Sequence, residues 1–542
     1  MKALPSLTAL LIEPHTGMRA SLHNMLTLCG VTRIEHAVSA GAAIRSIRNR
    51  EFDLVLCEYD LGDGQDGQQL LEDLRNNRLI PLSTIFMMVT AERSYEKVVS
   101  AAELAPSVYL LKPFTADALL ERILRAVEKR ELFMPVYALI EKGNPHAAIA
   151  RCMQNEERYP RYATDFMRLR AELYINLGEA RAAEQVYLRL SESKAVPWAK
   201  LGLSKSYFMQ QRFEEAEQVL NNLVEENSHY MDAYDWLAAT QEARGKLEEA
   251  KLVLENAVRI SPHAVKRLRR LAEVAFDMDD LDLAERSFQR VIARARYSEF
   301  RDPEDHARLV QALVRRGDSQ QAATIIRDLE RSFGDRAKGP ACRAISAAFL
   351  HAHLGNHQKA EEEVGAAIAA SNAEVNISNT LKMELAKTCL ASNLEGSATE
   401  LMLSVMNNTP EGAPMEKALA VFEKAGRKDL GESVARESRR QVADLVANGA
   451  EKAKQGDYRG AVDLLAAAAQ RLPNNPQVIF NAALAALKYL DNLGWDDGMA
   501  VQARGYIESV RRLDAANPRL VPLIQLYQNL HKRHRPEAAS TS

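Results

Sequence analysis

Residues 213–220, FEEAEQVL, return at 247–254 as LEEAKLVL and at 281–288 as LDLAERSF. The alanine within this pattern, flanked by helix formers, stands at Ala148, Ala182, Ala216, Ala250 and Ala284, a step of 34 residues each time. A fixed period of this length marks a stacked array of helical hairpins, because one hairpin cannot bury its apolar face alone. The neighbouring positions follow the same beat. Five residues before the alanine comes a glycine in Gly143, Gly245, Gly317, Gly355 and Gly456, suited to a tight turn because it takes φ > 0 without strain. Twelve before it comes a small residue, as in Ser204, Ala238, Ala272, Ala348, Ala386 and Gly449, which lets two helices approach closely. Pro160, Pro262, Pro410 and Pro473 fall where the second helix must stop.

Beyond Ala284 the register loosens. Steps of 38 lead to Ala322 and Ala360, with the extra residues in loops such as Tyr297–Asp305, and further units centre on Ala398 and Ala461. Met415–Gln441 reads as helical without a clear consensus. Asn481–Leu490, Val501–Leu513 and Leu520–Leu530 read as a last degenerate pair and a capping helix, and the polar tail from His531 to Ser542 as disordered.

Ahead of the repeats the period changes. Residues 7–130 alternate short apolar runs (Leu7–Ile12, Ile34–Ala37, Leu54–Cys57, Thr84–Val89 and Val108–Leu111) with amphipathic helical stretches. That alternation predicts a doubly wound α/β domain with a parallel sheet buried on both faces. The expected division is therefore 1–131 for the α/β domain, 132–530 for an all-α superhelical solenoid, and 531–542 for the tail.

The chain has 542 residues, 47% of them hydrophobic and 26% charged, which suits a folded protein rather than a disordered one. Its formal charge of −3 gives no global pull toward nucleic acid or anionic membrane. Cys29, Cys57, Cys152, Cys342 and Cys389 are odd in number and contain no CxxC pair, so neither a disulfide framework nor a zinc site is indicated. No apolar run is long enough to span a bilayer, and MKALPSLTALLIEP, broken by Pro5 and ended by Glu13, reads as a buried first strand rather than a signal peptide. The expected location is the cytoplasm.

The order of motifs in the first domain is specific: LLIEPHTGMR after the first strand, FDLVLCEYDL through the third, MMVTA at the fourth and VYLLKPF at the fifth. In this order they resemble the receiver domain of bacterial two-component response regulators, a flavodoxin-like, CheY-like fold, and the 34-residue period resembles the tetratricopeptide repeat. The resemblance implies a pocket at the C-terminal ends of the strands, where ligand sites of open α/β sheets lie. It implies two acidic residues and a phosphoacceptor aspartate holding Mg²⁺ through oxygen ligands, with a hydroxyl and a lysine engaging the phosphoryl group. In this chain Thr90 matches the hydroxyl, Lys112, followed by Pro113, the lysine, and Tyr109 the aromatic switch position. Glu13 stands at the first acidic position, but Pro14 replaces the second, and Glu58 stands where the phosphoacceptor is expected.

These departures point one way. Loss of a carboxylate weakens Mg²⁺ binding, leaving at most a poor site at Glu13 and Glu58 and no other metal or cofactor expected. Glutamate carries its carboxylate one methylene farther, toward where a phosphoryl group would sit, so Glu58 is expected to pair with Lys112 and to accept from Thr90, fixing a pseudo-receiver near one state. Alternatives stand beside this: a purely structural Glu58–Lys112 pair, Tyr109 as an edge-strand aromatic, and phosphorylation retained on Glu58 or Asp60. In DLGDGQDG (60–67) the spacing of Asp60, Asp63 and Asp66 does not match a calcium loop and reads as a solvated turn, and Cys57 as core.

For the repeats, a protein-binding concave surface is the default; Tyr207, Tyr234, Trp236 and Phe276 sit on first helices and are more often core than ligand platforms, but exposed ones there would be candidate hot spots of the groove. The histidines are scattered and His351 and His353 face different ways, so no metal site and no catalytic constellation is expected. Basic clusters at 266–270 (KRLRR), Arg436–Arg440, Arg511–Arg512 and His531–Arg535 are offset by acids such as Glu273, Glu432 and Glu437, which disfavours nucleic-acid binding. The sequence thus predicts a non-enzymatic signalling adaptor. Its partners would be proteins, for example a histidine kinase, with a second receiver as a possible homodimer contact and no insertion into membranes.

Overall fold

A computed structural model describes residues 4–62, 66–90, 108–193, 196–262, 264–296, 298, 301–334, 338–371, 377–514 and 517–534. The N-terminal sheet is five-stranded and wholly parallel, in the order β2-β1-β3-β4-β5, with β1 Thr8–Ile12, β2 Arg33–Ala37, β3 Leu54–Glu58, β4 Ile85–Thr90 and β5 Val108–Leu111. Every expected strand is present within a residue of its predicted ends. Alternation divides the side chains between two cores: Leu10, Ile12, Val55, Cys57, Phe86 and Met88 on one face, Ala9, Leu11, Leu54, Leu56, Met87 and Val89 on the other. Helices α1 (Thr16–Leu28), α2 (Ala40–Asn49), α3 (Gly67–Asn76) and α4 (Ala116–Glu141) flank the sheet. α3 opens with a capping box in which Asp66 accepts from the Gln69 N–H and the Gln69 side chain accepts from the Asp66 N–H.

The expected boundary at 131/132 lies inside a helix. α4 runs 26 residues without a break: its first half packs on the sheet through Leu119, Ile123 and Val127, and its second half packs through Phe133 and Val136 against Ala148, Ile149, Cys152 and Phe166 of the first repeat. Phe133 and Phe166 stack at 4.0 Å. Arg130, midway along, reaches back to Asp53 at 2.5 Å, and Asp53 also accepts from the Thr8 N–H and hydroxyl at 3.0 and 3.1 Å.

From there the chain is helical hairpins. In each second helix one small residue, four positions into the helix, is packed out of solvent contact: Ala148, Ala216, Ala250 and Ala284 as expected, but Ala183 rather than Ala182. Gly178, at φ +75°, stands five before Ala183 as the other turn glycines stand before theirs, so the true steps there are 35 and 33. The expected glycines 143, 245, 317, 355 and 456 all have φ between +64° and +85°. Where a unit lacks glycine the backbone keeps the same turn: Gln211, Asp279 and Asn393 have φ of +60°, +66° and +61°.

The chain forms two compact units, Met1–Arg301 and Asp302–Ser542. In the second unit Ala322, Ala360, Ala398 and Ala461 are buried as expected. The segment without consensus proves to be a hairpin as well, Ala413–Lys424 followed by the 27-residue helix Lys428–Lys454, with Gly426 at the turn (φ +70°) and Gly431 in the alanine's place. A Cβ on Gly431 would lie 2.9 Å from the Cβ of buried Phe422, so the phenyl ring takes the room an alanine methyl fills elsewhere. The last core joins Ala461–Leu490 to Ala500, Ile507, Leu520 and Leu530. The final helix, Leu520–His534, corrects the expected start of the tail: residues 531–534 are helical, with Trp495 against the rings of His531 and His534, and 535–542 lie outside the described residues. Among the described residues no helix is long and apolar enough to cross a membrane.

Candidate functional site

Parallel pairing brings the C-terminal ends of β1, β3, β4 and β5 to one edge. The register sets Glu58 beside Val89 and Thr90 beside Leu111, and main-chain bonds continue past the strand ends, from the Tyr59 N–H to the Val89 carbonyl and from the Lys112 N–H to the Thr90 carbonyl, both 2.8 Å. Glu13, Glu58, Thr90 and Lys112 are thereby gathered, although 99 residues separate the first from the last. Glu13 is 0%, Glu58 7% and Thr90 2% exposed.

Lys112 is the centre of the arrangement. Its ammonium pairs with Glu58 Oε2, and with Glu13 Oε2 at 3.5 Å. The remaining oxygens are held by the main chain: Glu58 Oε1 accepts from the Tyr59 N–H at 3.1 Å and weakly from that of Asp60, and Glu13 Oε1 from the His15 N–H at 2.9 Å. Burial pushes the Glu58 carboxyl above its ordinary range, opposed by Lys112 and reinforced by the negative charge of Glu13. One cation thus serves two buried carboxylates. The sequence reading found the Glu58–Lys112 pair but not the bridge to Glu13, nor Arg19, whose guanidinium donates to the Glu13 and Pro14 carbonyls at 2.7 and 3.0 Å and closes the turn at this edge.

This donor set does not fit Mg²⁺. Two carboxylates remain, both are engaged by an ammonium, and Pro14 brings no third oxygen side chain. Among the described residues no cluster of three or more acidic, histidine or cysteine side chains is placed to hold a metal. Tyr109 is half-buried on β5, opposite Met88, packed against the core beneath the site. Asp60 is exposed and its carboxylate accepts from the Gly62 N–H at 3.0 Å, a local turn, while Asp66 is the α3 cap; Asp63 lies outside the described residues. Cys57 is fully buried, and burial with neighbouring acids raises its thiol.

The four repeat aromatics separate. Tyr234 and Phe276 belong to the core, the reading favoured for first-helix aromatics: they are 7% and 4% exposed, the Tyr234 hydroxyl donating to the Ser228 carbonyl at 3.0 Å. Trp236 is half-buried, edge-on to Phe208 at 5.4 Å with the Lys205 ammonium 5.3 Å from its ring centre. Tyr207 is half-buried beneath the Arg212 guanidinium. Charged groups that sequence reasoning passed over join Trp236 on the first helices. Arg168 lies over Trp198 at 5.2 Å and pairs with Glu172, burial lowers the Lys205 amine, and burial raises the neighbouring Asp232 carboxyl. Two of the four basic residues in the cluster 266–270 are paired: Arg267 forks onto Asp235 at 2.8 and 3.0 Å, and Arg270 pairs with Glu242 and Glu273.

Comparison with known proteins agrees with this architecture. Residues 9–124 match the response regulator receiver domain model and 201–265 a tetratricopeptide repeat model. The chemotaxis protein CheY of Pseudomonas aeruginosa is 30% identical over 121 residues, 22% of this chain and 95% of that protein. Chemotaxis protein CheY-3 of Vibrio cholerae serotype O1 is 27% identical over 120 residues, 22% of this chain and 91% of that protein. A CheY-like receiver domain protein from Methanospirillum hungatei JF-1, known as a crystal structure, aligns over 23% of this chain and 98% of its own at 30% identity, with a TM-score of 0.21. The chain belongs to the response-regulator receiver family, its receiver domain joined to tetratricopeptide repeats.

Proposed function

We propose that this protein is a non-enzymatic signalling adaptor of the cytoplasm whose repeats bind a protein partner and whose receiver is a pseudo-receiver, set in one state by its own side chains. The observation that carries the reading is Lys112 held between Glu58 and Glu13. In a receiver the strand-five lysine answers to the phosphorylated aspartate; here a carboxylate one methylene longer already meets it, with main-chain bonds fixing the other oxygens. Receiver domains and tetratricopeptide repeats are typically non-catalytic, and the paired state of Arg267 and Arg270 supports a protein partner over a nucleic acid. A histidine kinase or another signalling protein, or a second receiver, suits the sheet-edge domain.

The test is incubation of the full chain with acetyl phosphate and Mg²⁺ followed by intact mass. The reading expects no added phosphoryl mass. A stoichiometric adduct on Glu58 or Asp60 would replace it with a phosphorylation-controlled regulator.

A further inference from the structure

α3 is amphipathic, with Leu70, Leu71 and Leu74 in the sheet core. Its opposite face carries Gln68, Gln69, Glu72 and Asp73, residues that ordinarily meet water. Yet no residue from Gly67 to Arg75 is exposed. Part of this polar face meets the chain just past the helical hairpin Val265–Asp277 and Leu281–Ala295, within the same compact unit. Ser298, just past that hairpin, donates its hydroxyl to Asp73 at 2.7 Å. Arg267 acts on the Glu72 carboxylate and Arg294 on that of Asp66. The Gln68 side chain reaches Glu72 at 3.4 Å through its amide, and its buried Oε1 meets no donor among the described residues.

We propose that this is a clasp: the surface formed by Arg267, Arg294 and Ser298 is a docking site for an acidic amphipathic helix, and the receiver's own α3 occupies it. A partner presenting such a helix to these repeats must first displace the receiver. The Asp73 carboxylate meets the Ser298 hydroxyl, while Arg294 and Arg267, the latter also held by Asp235, add positive charge near Asp66 and Glu72, and the contact joins residues 225 apart in the chain. The contact also lies near the end of β3, because the Gly67 N–H at the start of α3 donates to the Tyr59 carbonyl at 2.7 Å. The displacement step rests on the adaptor reading; the clasp itself does not.

The test uses the full chain and two charge changes. Ser298→Asp sets a carboxylate against Asp73, and Asp73→Lys in the same chain restores opposite charges. Amide hydrogen exchange of residues 67–76 is followed, with 54–58 as the control for an intact sheet. The clasp predicts exchange faster by about tenfold or more in Ser298→Asp, the scale expected for loss of one charge-assisted contact, and return toward wild type in the double variant. A second arm adds a synthetic peptide of residues 66–78 to the Asp73→Lys single variant, whose repeat surface is unchanged, and expects binding that wild type does not show. Identical α3 exchange in all chains, or peptide binding equal in both or in neither, overturns the proposal. A failure of the adaptor reading, with no cellular partner found, would leave the exchange pattern unchanged.

Discussion

One methylene separates glutamate from aspartate at the end of β3, and its effect is set by what the longer side chain reaches. Glu58 reaches Lys112, which also holds Glu13, so removing the lysine leaves two buried carboxylates side by side. Lys112→Met is expected to destabilise the receiver by about 3 kcal/mol or more at neutral pH. Without the ammonium the Glu58 carboxyl rises further, and a carboxyl whose folded pKa is raised adds stability that is lost as pH climbs through that value. Part of the deficit should therefore return as pH falls toward 5, read by urea unfolding of the full chain monitored through receiver amides. Glu58→Gln removes a desolvated charge and keeps the shape, so its stability should stay near wild type. At Asp53, Arg130→Met strands a carboxylate that is otherwise paired with little solvent access and should cost about 2–3 kcal/mol in the same measurement.

The residues of this site were legible from order along the chain, because strand ends of a parallel sheet converge whatever lies between them. The Glu13 bridge was not: it depends on the path of a lysine side chain across the sheet edge, which no local pattern carries. Which of the four repeat aromatics lie in the core was not legible for a related reason. A first helix has one face toward its partner, one toward the next hairpin and one toward solvent, and a 34-residue period does not say which aromatic lies on which.

Among the elements, the turns between repeat helices show where sequence and backbone disagree. Gln211, Asp279 and Asn393 take a left-handed conformation that costs a side-chain-bearing residue about 1 kcal/mol. Gln211→Gly should stabilise the repeats by at most about 0.5 kcal/mol after the flexibility of glycine is counted, read as a small rise in thermal midpoint. Gly431→Ala should do the reverse, by about 1–3 kcal/mol, because Phe422 already fills that space. The alanine period found this array but slipped by one at Ala182, since two adjacent alanines leave the sequence undecided and only packing selects Ala183. It missed the unit at Gly431 because the consensus residue there is absent while the turn glycine remains. On α3, burial raises the Glu72 carboxyl to about 7, with Asp66, Asp73 and Gln68 on its own segment and Arg267 opposite. Docking therefore favours the protonated form and weakens as pH rises from the ordinary carboxyl range through about 7. Glu72→Gln should flatten that pH dependence in α3 exchange once intrinsic exchange chemistry is removed.

At the scale of the molecule, α4 makes receiver and first repeat one continuous element across Pro135, so a change at the sheet edge has a direct path into the array as well as the α3 contact. The composition-based division at 131/132 followed the end of the strand signals, but an amphipathic helix shared by two cores gives no signal at its midpoint. In the proposed pseudo-receiver, Glu58 stands in for a phosphoryl group by holding Lys112. Quantitative affinity capture from native cytoplasm, with wild type and Glu58→Gln in parallel and no phosphodonor added, tests it most directly. A partner held by wild type and reduced by about tenfold or more in Glu58→Gln, a change of about 1.4 kcal/mol in affinity, is the predicted result; equal capture by both chains would contradict it.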